Sequence, residues 1–208
     1  MIKFQKDIDY FAEFPAPLME LMHSAHFINI NSTITFFGPM LYFFARAIEA
    51  HKVLEIGHAE CYTGWYLANA VKDNGVRYQV KDGQYYGIDI VQTDLAVERL
   101  KDLPATIINM DSATITKDTF KDITFDIIFQ DGAHDTEHVL HELEILYPQL
   151  KPNGYWIFHD SAGPAEEAWH KVIKNDKYKF EYIRFITPYG LSMMRKTEGV
   201  DPEKRYWI

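Results

Sequence analysis

The stretch that decides the fold is Val53–Gly64, with the sequence VLEIGHAECYTG. A short apolar strand carries one acidic residue, Glu55, and runs into Gly57 and then into a loop that opens a helix. Open α/β sheets bind their ligands at this place, at the carboxyl end of the first strand, where a glycine lets a ligand approach the main chain closely. The stretch therefore predicts the first strand and the ligand-binding loop of a parallel sheet.

Acidic residues also end three later strands. The segment Tyr86-Gly87-Ile88-Asp89 ends in an aspartate, and Asp131 and Asp160 each follow an apolar run. The carboxyl ends of parallel strands meet at one edge of a sheet. We therefore expect Glu55, Asp89, Asp131 and Asp160 on one rim, which would hold both a cofactor site and a chemistry site.

The rest of the chain alternates between strand and helix patterns. Apolar periodicity and turn residues predict strands at Lys52–Ile56, Gln84–Ile90, Ala105–Asn109, Phe125–Gln130, Tyr155–Phe158, Phe180–Ile186 and Gly190–Arg195. They predict helices at Pro15–Ile28, Pro39–Ala50, Thr63–Val71, Thr93–Leu100, Thr136–Leu150 and Glu166–Ile173, a hairpin insert at Val76–Val80 and a turn at Lys151–Gly154. The predicted fold is α/β: a Rossmann-like, doubly wound, seven-stranded, mostly parallel sheet with one antiparallel strand and helices on both faces.

Composition excludes several classes of protein. The chain has 208 residues, a formal net charge of −9 and no run of basic residues, which argues against binding to nucleic acid. The single cysteine, Cys61, excludes an internal disulfide. No apolar run reaches the roughly 18–20 residues of a membrane span, and Met1–Asp7 lacks the apolar centre of a signal peptide. We expect one cytoplasmic domain over residues 1–208 that binds no membrane. The sequence leaves open whether the protein forms a homo-oligomer.

The first loop favours a ligand without phosphate. His58-Ala59-Glu60-Cys61 follows Gly57, so neither the G-x-G-x-x-G fingerprint nor the Lys-Ser/Thr of a P-loop is present. The carboxylates of Glu55 and Asp89 would repel a pyrophosphate, whereas the pattern with Thr63 suits a sulfonium-bearing nucleoside. Asp89 can accept hydrogen bonds from both ribose hydroxyls, and the alternative is that it only caps the following loop.

Asp131 and Asp160 predict a second site. They follow strands that we expect to be neighbours, and two carboxylates forced together repel each other unless a cation or a proton lies between them. Hard oxygen ligands suit Mg²⁺ or Ca²⁺, and such an ion lowers the pKa of a bound hydroxyl group. His134, with an intrinsic pKa near 6.5, suits a general base. The alternative is that Asp131-Gly132 forms only a turn between strand and helix.

Four segments carry a resemblance to a known family. They are VLEIGHAECYTGWYLA, YYGIDI, FDIIFQDGAHDTEHVLHELEILYPQLKPNGYWIFHD and PYGLSMMRK, and together they cover roughly residues 38–196. The third is the most specific, because D-G-x-H, L-K-P-x-G and H-D follow one another in order. The chain resembles the class I S-adenosylmethionine-dependent methyltransferases, in particular the small O-methyltransferases related to the catechol and the sugar or macrolide enzymes.

This resemblance implies a role for each matching position. For the cofactor S-adenosyl-L-methionine the implied contacts are Glu55 and Gly57 at the methionine, Asp89 at the ribose, Asp111 and Ser112 at the adenine, and His58, Thr63, Ile90 and Asp131 around them. Asp131, Asp160 and Ser161 would hold Mg²⁺ or another divalent cation, and His134 with Asp131 would be catalytic. The acceptor would be a small molecule with a hydroxyl group, a sugar or a phenol. Residues 1–37 would form a helical cover of its pocket, and residues 38–196 the cofactor-binding core.

Two departures from the family pattern leave alternatives open. Cys61 stands where relatives usually have glycine, and Ser161 stands where they often have asparagine. A metal-independent methyltransferase and a non-catalytic module that binds the cofactor are therefore kept as alternatives. His159 is interpreted as a buried core histidine. The histidines at helical spacing, His134, His138 and His141, are placed on a solvated helix face rather than in a zinc site.

Overall fold

A seven-stranded sheet forms the centre of the molecule in the computed structural model, which describes residues 37–185 and 189–200. The strands are β1 Lys52–Ile56, β2 Gln84–Asp89, β3 Ala105–Asn109, β4 Phe125–Gln130, β5 Leu150–His159, β6 Phe180–Phe185 and β7 Leu191–Lys196. Their order across the sheet is β3-β2-β1-β4-β5-β7-β6. Strand β7 runs antiparallel to both of its neighbours, and the other pairings are parallel. The predicted fold class is confirmed.

Helices cover both faces of the sheet. They are α1 Phe37–Ala47, α2 Tyr62–Tyr78, α3 Asp94–Leu100, α4 Thr136–Leu146 and α5 Glu166–Ile173, with short 3₁₀ turns at Ser112–Thr114 and Tyr147–Gln149. Helices α1, α2 and α3 contribute to one hydrophobic cluster, and α4 and α5 contribute to the other. Strand β1 supplies both clusters, because Val53 points to one face and Leu54 to the other. In the described part of the chain, no helix is long and apolar enough to cross a membrane.

Helix α2 is longer than the sequence pattern predicted. The pair Asn74-Gly75, which is typical of turns, lies inside the helix, and the hairpin insert predicted at Val76–Val80 is wrong. The Asn74 side chain is buried and donates hydrogen bonds to the carbonyls of Ala45 at 3.1 Å and Ala50 at 2.8 Å. An asparagine favours turns by bonding to its own backbone, and here its amide is bound to the end of helix α1 instead. The helix ends at Tyr78, and Gln79 after it takes the left-handed conformation with φ 57°.

The boundary between α4 and β5 also differs from the prediction. Helix α4 ends at Leu146, where the 3₁₀ turn Tyr147–Gln149 follows; Pro148 in that turn lacks the N–H that would continue the α-helical hydrogen bonds. Lys151–Gly154, predicted as the turn, belongs to strand β5. Leu150 pairs with Phe125 across a register shift, so β5 begins before the apolar residues that revealed it in the sequence.

Several predictions fall outside the described residues. The helix at Pro15–Ile28, residues 1–36 of the helical cover predicted for residues 1–37, and the last position of the strand predicted at Phe180–Ile186 lie there.

Candidate active site

The loop after β1 lies against the loop after β4. The Gly57 N–H donates to the Ile88 carbonyl at 2.9 Å, and the Asp131 N–H donates to the Ile56 carbonyl at 2.9 Å. Gly57 has φ 81°, and a Cβ on it would lie 2.5 Å from the Gly132 Cα. Only glycine fits this left-handed conformation and this close approach. The geometry explains why the motif needs its glycine.

A cavity of about 470 Å³ opens at this rim, large enough for a small ligand. The predicted cofactor residues that line it are Gly57, Asp89, Ile90, Asp111, Ser112 and Asp131. Its other lining residues are Ala59, Ile88, Met110, Gly132, Ala133 and His138. The structure therefore brings together residues from the loops after four different strands.

Asp89 connects two of these loops. One carboxylate oxygen accepts a hydrogen bond from the Ala59 N–H at 2.7 Å, and the other accepts from the Val91 N–H at 3.0 Å. The capping alternative thus describes what Asp89 does in the structure. A carboxylate has about four acceptor positions, so these two bonds leave room for a ribose.

Glu55 and Thr63 lie behind the cavity rather than on its wall. Glu55 is completely buried and accepts hydrogen bonds from the hydroxyl groups of Thr63 and Tyr85. Burial raises the pKa of Glu55 to about 8, against the effect of these two hydrogen bonds. The structure thus places this pair where it connects β1 to α2 and β2, and not among the residues that line the cavity.

Cys61 has an unusual backbone conformation. It has φ 56° and ψ 39°, the left-handed conformation that favours glycine. Its thiol is buried 3.2 Å from the Nδ1 of His58, and burial raises the pKa of the Cys61 thiol. His58 is also buried, which lowers the pKa of its imidazole. Both side chains support the loop from behind, and neither is part of the cavity wall.

The predicted convergence of Asp131 and Asp160 is present. One ligand atom from each of Asp131, His134 and Asp160 lies within 4.8 Å of the other two. His134 Nε2 lies 3.0 Å from an Asp160 oxygen. His159 Nδ1 lies 2.7 Å from Asp131 and 3.1 Å from Asp160. His159 is buried as expected, but it also joins the two acids, a contact that the interpretation as a core residue missed.

The two carboxyl groups and the two imidazoles of this cluster shift one another's pKa values. Burial raises the pKa of Asp131 and outweighs its hydrogen bond to His159. Burial acts in the same direction on Asp160, but hydrogen bonds to His134 and His159 hold its pKa well below the usual range. The hydrogen bond to Asp160 raises the pKa of His134. Burial opposes the charge on His159, yet the two carboxylates raise its pKa to about 9.

The donor set fits a divalent cation only in part. Two carboxylates and an imidazole are suitable ligands. Ser161, the third predicted ligand, is buried, and its hydroxyl accepts a hydrogen bond from Ser192 at 2.9 Å. The structure therefore brings Asp131 and Asp160 together with His134, and it directs the Ser161 hydroxyl to strand β7.

The assignment of His138 and His141 to a solvated helix face is wrong. His138 lines the cavity, with its side chain 17% exposed. The Nε2 of His141 lies 3.1 Å from the Ile115 carbonyl. Both residues face the segment that follows β3, because helix α4 packs against it. The three-residue spacing of the two histidines, which places them on one helix face, was the available signal.

The fold and the rim together form an open α/β sheet with a cavity at the carboxyl ends of its strands and an acidic cluster beside it. A family model described as a methyltransferase domain matches residues 54–161, just over half of the chain. A search of curated proteins found no significant match. The chain belongs to the methyltransferase domain family, and it is an S-adenosylmethionine-dependent methyltransferase.

Solved structures share the fold. A methyltransferase from Podospora anserina bound to S-adenosylhomocysteine aligns with a TM-score of 0.65 at 14% identity, covering 88% of each chain. The O-methyltransferase TomG from Streptomyces achromogenes, in complex with S-adenosylmethionine, aligns with a TM-score of 0.61 at 16% identity, covering 90% of this chain and 92% of TomG. An O-methyltransferase from Bacillus cereus in complex with S-adenosylhomocysteine has a TM-score of 0.60 at 15% identity, with 90% and 94% covered. At these identities the likeness concerns the fold.

Proposed function

We propose that this methyltransferase transfers the methyl group of S-adenosyl-L-methionine to a hydroxyl oxygen of a small molecule, a sugar or a phenol, with the help of a divalent cation. The observation that carries the proposal is the cluster of Asp131, His134 and Asp160. Asp131 belongs both to this cluster and to the cavity wall. A cofactor in the cavity and an acceptor at the cluster would therefore be neighbours.

The cofactor would lie along the rim. Its methionine part would contact the backbone at Gly57, its ribose would bind Asp89, and its adenine would lie beside Asp111 and Ser112. Ile90 and Met110 provide apolar surface near these last residues. The O-methyltransferases from Streptomyces achromogenes and Bacillus cereus, which share the fold, were solved with S-adenosylmethionine and S-adenosylhomocysteine respectively, and this supports the assignment.

The residues of the cluster would position the acceptor and remove its proton. Nε2 of His134 lies 3.0 Å from an Asp160 oxygen, so we assign the ring hydrogen to Nε2, and Nδ1 would take the proton of the acceptor hydroxyl. The hydroxyl oxygen then attacks the methyl carbon as the bond from sulfur to carbon breaks, and alignment of the reactants supplies much of the acceleration. Asp131 and Asp160 would hold the cation, which lowers the pKa of a bound hydroxyl group.

Methyl transfer to a panel of phenols and sugars tests the proposal. We expect EDTA to lower turnover by roughly tenfold or more and Mg²⁺ to restore it. We expect His134→Gln to lower turnover by roughly a hundredfold. His170→Gln changes a partly exposed histidine on α5; it is the matched control and should leave turnover unchanged. Turnover that is unchanged in EDTA would exclude the cation, and full activity of His134→Gln would exclude the base.

One observation favours a second candidate, a methyltransferase of the same fold that works without metal. His159 already lies between Asp131 and Asp160, and a protonated imidazole neutralises two carboxylates as a cation would. Calorimetry with Mg²⁺ separates the two candidates. Absence of binding, together with activity in EDTA, would favour the metal-independent enzyme.

A further inference from the structure

Strand β6 forms one edge of the sheet. Within residues 37–185 and 189–200, it pairs with β7 on one side, and no strand lies on its other side. Edge strands are commonly protected against further pairing by prolines, lysines or bulges. Phe180–Phe185 contains neither proline nor lysine, and it pairs with β7 in continuous register. The backbone groups along this edge are therefore available to another strand.

The two charged residues of β6 are paired within their own chain. Glu181 forms an ion pair with Arg195, which stands directly beside it on β7. Arg184 lies 2.9 Å from a carboxylate oxygen of Glu166 and stacks over the ring of Trp169. Charges that are neutralised in this way oppose the approach of a second strand less than an unpaired lysine would.

Two apolar side chains at the centre of β6 are exposed. Tyr182 is 51% exposed, and Ile183 is 56% exposed. They point to opposite faces of the sheet, because successive residues of a strand alternate. Tyr182 contacts Trp169 of α5 on one face, and Ile183 stands beside the buried Met193 of β7 on the other. A strand added to this edge would extend the apolar surface on both faces.

The other edge of the sheet, strand β3, lacks such a surface. Its exposed residues are Thr106 and Asn109, which are polar. Its apolar residues Ile107 and Ile108 are partly buried and pack against the two hydrophobic clusters. The exposed apolar edge is therefore that of β6.

The sequence of β6 is complementary to itself when two copies run antiparallel. A twofold axis perpendicular to the sheet keeps each face on its own side, so one residue must stand opposite its own copy. A centre at Glu181 or Arg184 would oppose like charges, and a centre at Tyr182 would oppose the exposed Ile183 to a carboxylate. A centre at Ile183 opposes two apolar side chains and sets Arg184 opposite Tyr182 of the second copy, a favourable pair of a cation and an aromatic ring.

We propose that β6 is the interface of a homodimer in which two copies of this chain pair antiparallel about Ile183 and join their sheets into one. A second copy is the occupant because a twofold contact uses the same patch on both sides, and this strand complements itself. The chain after β7 leads away from the edge, since Gly199 lies next to Pro152 of β5. The interface goes beyond the proposed methyl transfer and does not rest on it.

Sedimentation equilibrium of the full-length protein, from about 1 to about 200 µM, tests the proposal. We expect a monomer–dimer equilibrium in this range. Ile183→Lys should weaken the dimer by roughly tenfold or more, because it opposes two lysines at the centre of the interface. Val76→Lys is the matched control, since Val76 is 77% exposed on α2, and it should dimerise like the wild type. A wild type that stays monomeric, or an Ile183→Lys variant that dimerises equally well, overturns the proposal.

Oxidative cross-linking of Ile183→Cys with copper phenanthroline tests the register. Residues directly opposite each other in an antiparallel pair are close enough for a disulfide bond. The native thiol of Cys61 is buried, so it does not compete. We expect most of the Ile183→Cys protein to form a covalent dimer and Val76→Cys to stay monomeric. Equal cross-linking of both variants, or a dimer that Ile183→Cys fails to cross-link, overturns the proposal. This variant also decides the question if Ile183→Lys fails to fold.

Discussion

The substitution Glu55→Gln should remove a pH dependence of folding. Glu55 is completely buried, and burial raises its pKa from 4.5 to about 8. Between these two pH values the folded protein keeps a proton that the unfolded chain has released. The stabilisation linked to this proton is complete below about pH 4.5 and is lost as the pH rises through 8. Glutamine has the same shape and is neutral at every pH, so it can still bond to Thr63 and Tyr85.

The size of the effect follows from the pKa. Each pH unit between the two values costs about 1.4 kcal/mol, and the loss levels off above the folded pKa. Between pH 6 and pH 9 the free energy of unfolding of the wild type should therefore fall by about 2.5 kcal/mol more than that of Glu55→Gln. The comparison cancels the titration of all other groups, since both proteins share them.

Urea unfolding of both proteins at pH 6, 7, 8 and 9 measures this difference. Glu60→Gln is the control, because Glu60 is an exposed acid in the same loop, with its side chain 58% exposed. It should follow the wild type at every pH. The reasoning is refuted if the free energies of unfolding of wild type and Glu55→Gln stay parallel to within about 0.5 kcal/mol from pH 6 to 9. In that case Glu55 does not hold a proton in the folded protein that the unfolded chain releases.

Two further substitutions test the rim and the core separately. Gly57→Ala should cost about 2 kcal/mol or more of stability and lower the affinity for S-adenosylhomocysteine, because alanine is strained at φ 81° and its Cβ meets the neighbouring loop. Unchanged affinity by calorimetry would contradict this. Lys196→Met should cost about 2 kcal/mol in thermal unfolding and leave the affinity unchanged, because the buried ammonium group donates to the carbonyls of Tyr147 and Leu150, both at 2.9 Å. The exposed Lys177→Met is its control, and an equal loss there would contradict the argument.

Most of the fold could be predicted from sequence because its signals are local. Strands β3 and β4 begin and end at the predicted residues, since short runs rich in apolar and β-branched residues and bounded by turns are typical of strands. The prediction failed at Asn74, where a side-chain amide finds partners on helix α1, and at Leu150, where β5 starts by pairing with Phe125. Both failures come from contacts between residues that lie far apart in the chain.

The sequence predicted at which strand ends the residues of the site lie. Asp131 and Asp160 converge because their strands pair side by side, as the alternation of strand and helix implies. The same reasoning could not find that Ser161 points to Ser192 instead of the acids. The direction of a side chain depends on the backbone conformation after the strand, and Asp160 takes φ 55° at that point.

The sequence by itself determined the alternation of strand and helix, the glycine loop after β1 and the acidic rim, because periodicity and turn chemistry act over a few residues. Only the tertiary structure decided which polar groups share a proton or a hydrogen bond. Glu55 became a buried acid behind the cavity, and His159 became a bridge between two aspartates. Burial and partner distance set these properties, and both arise when distant segments pack together.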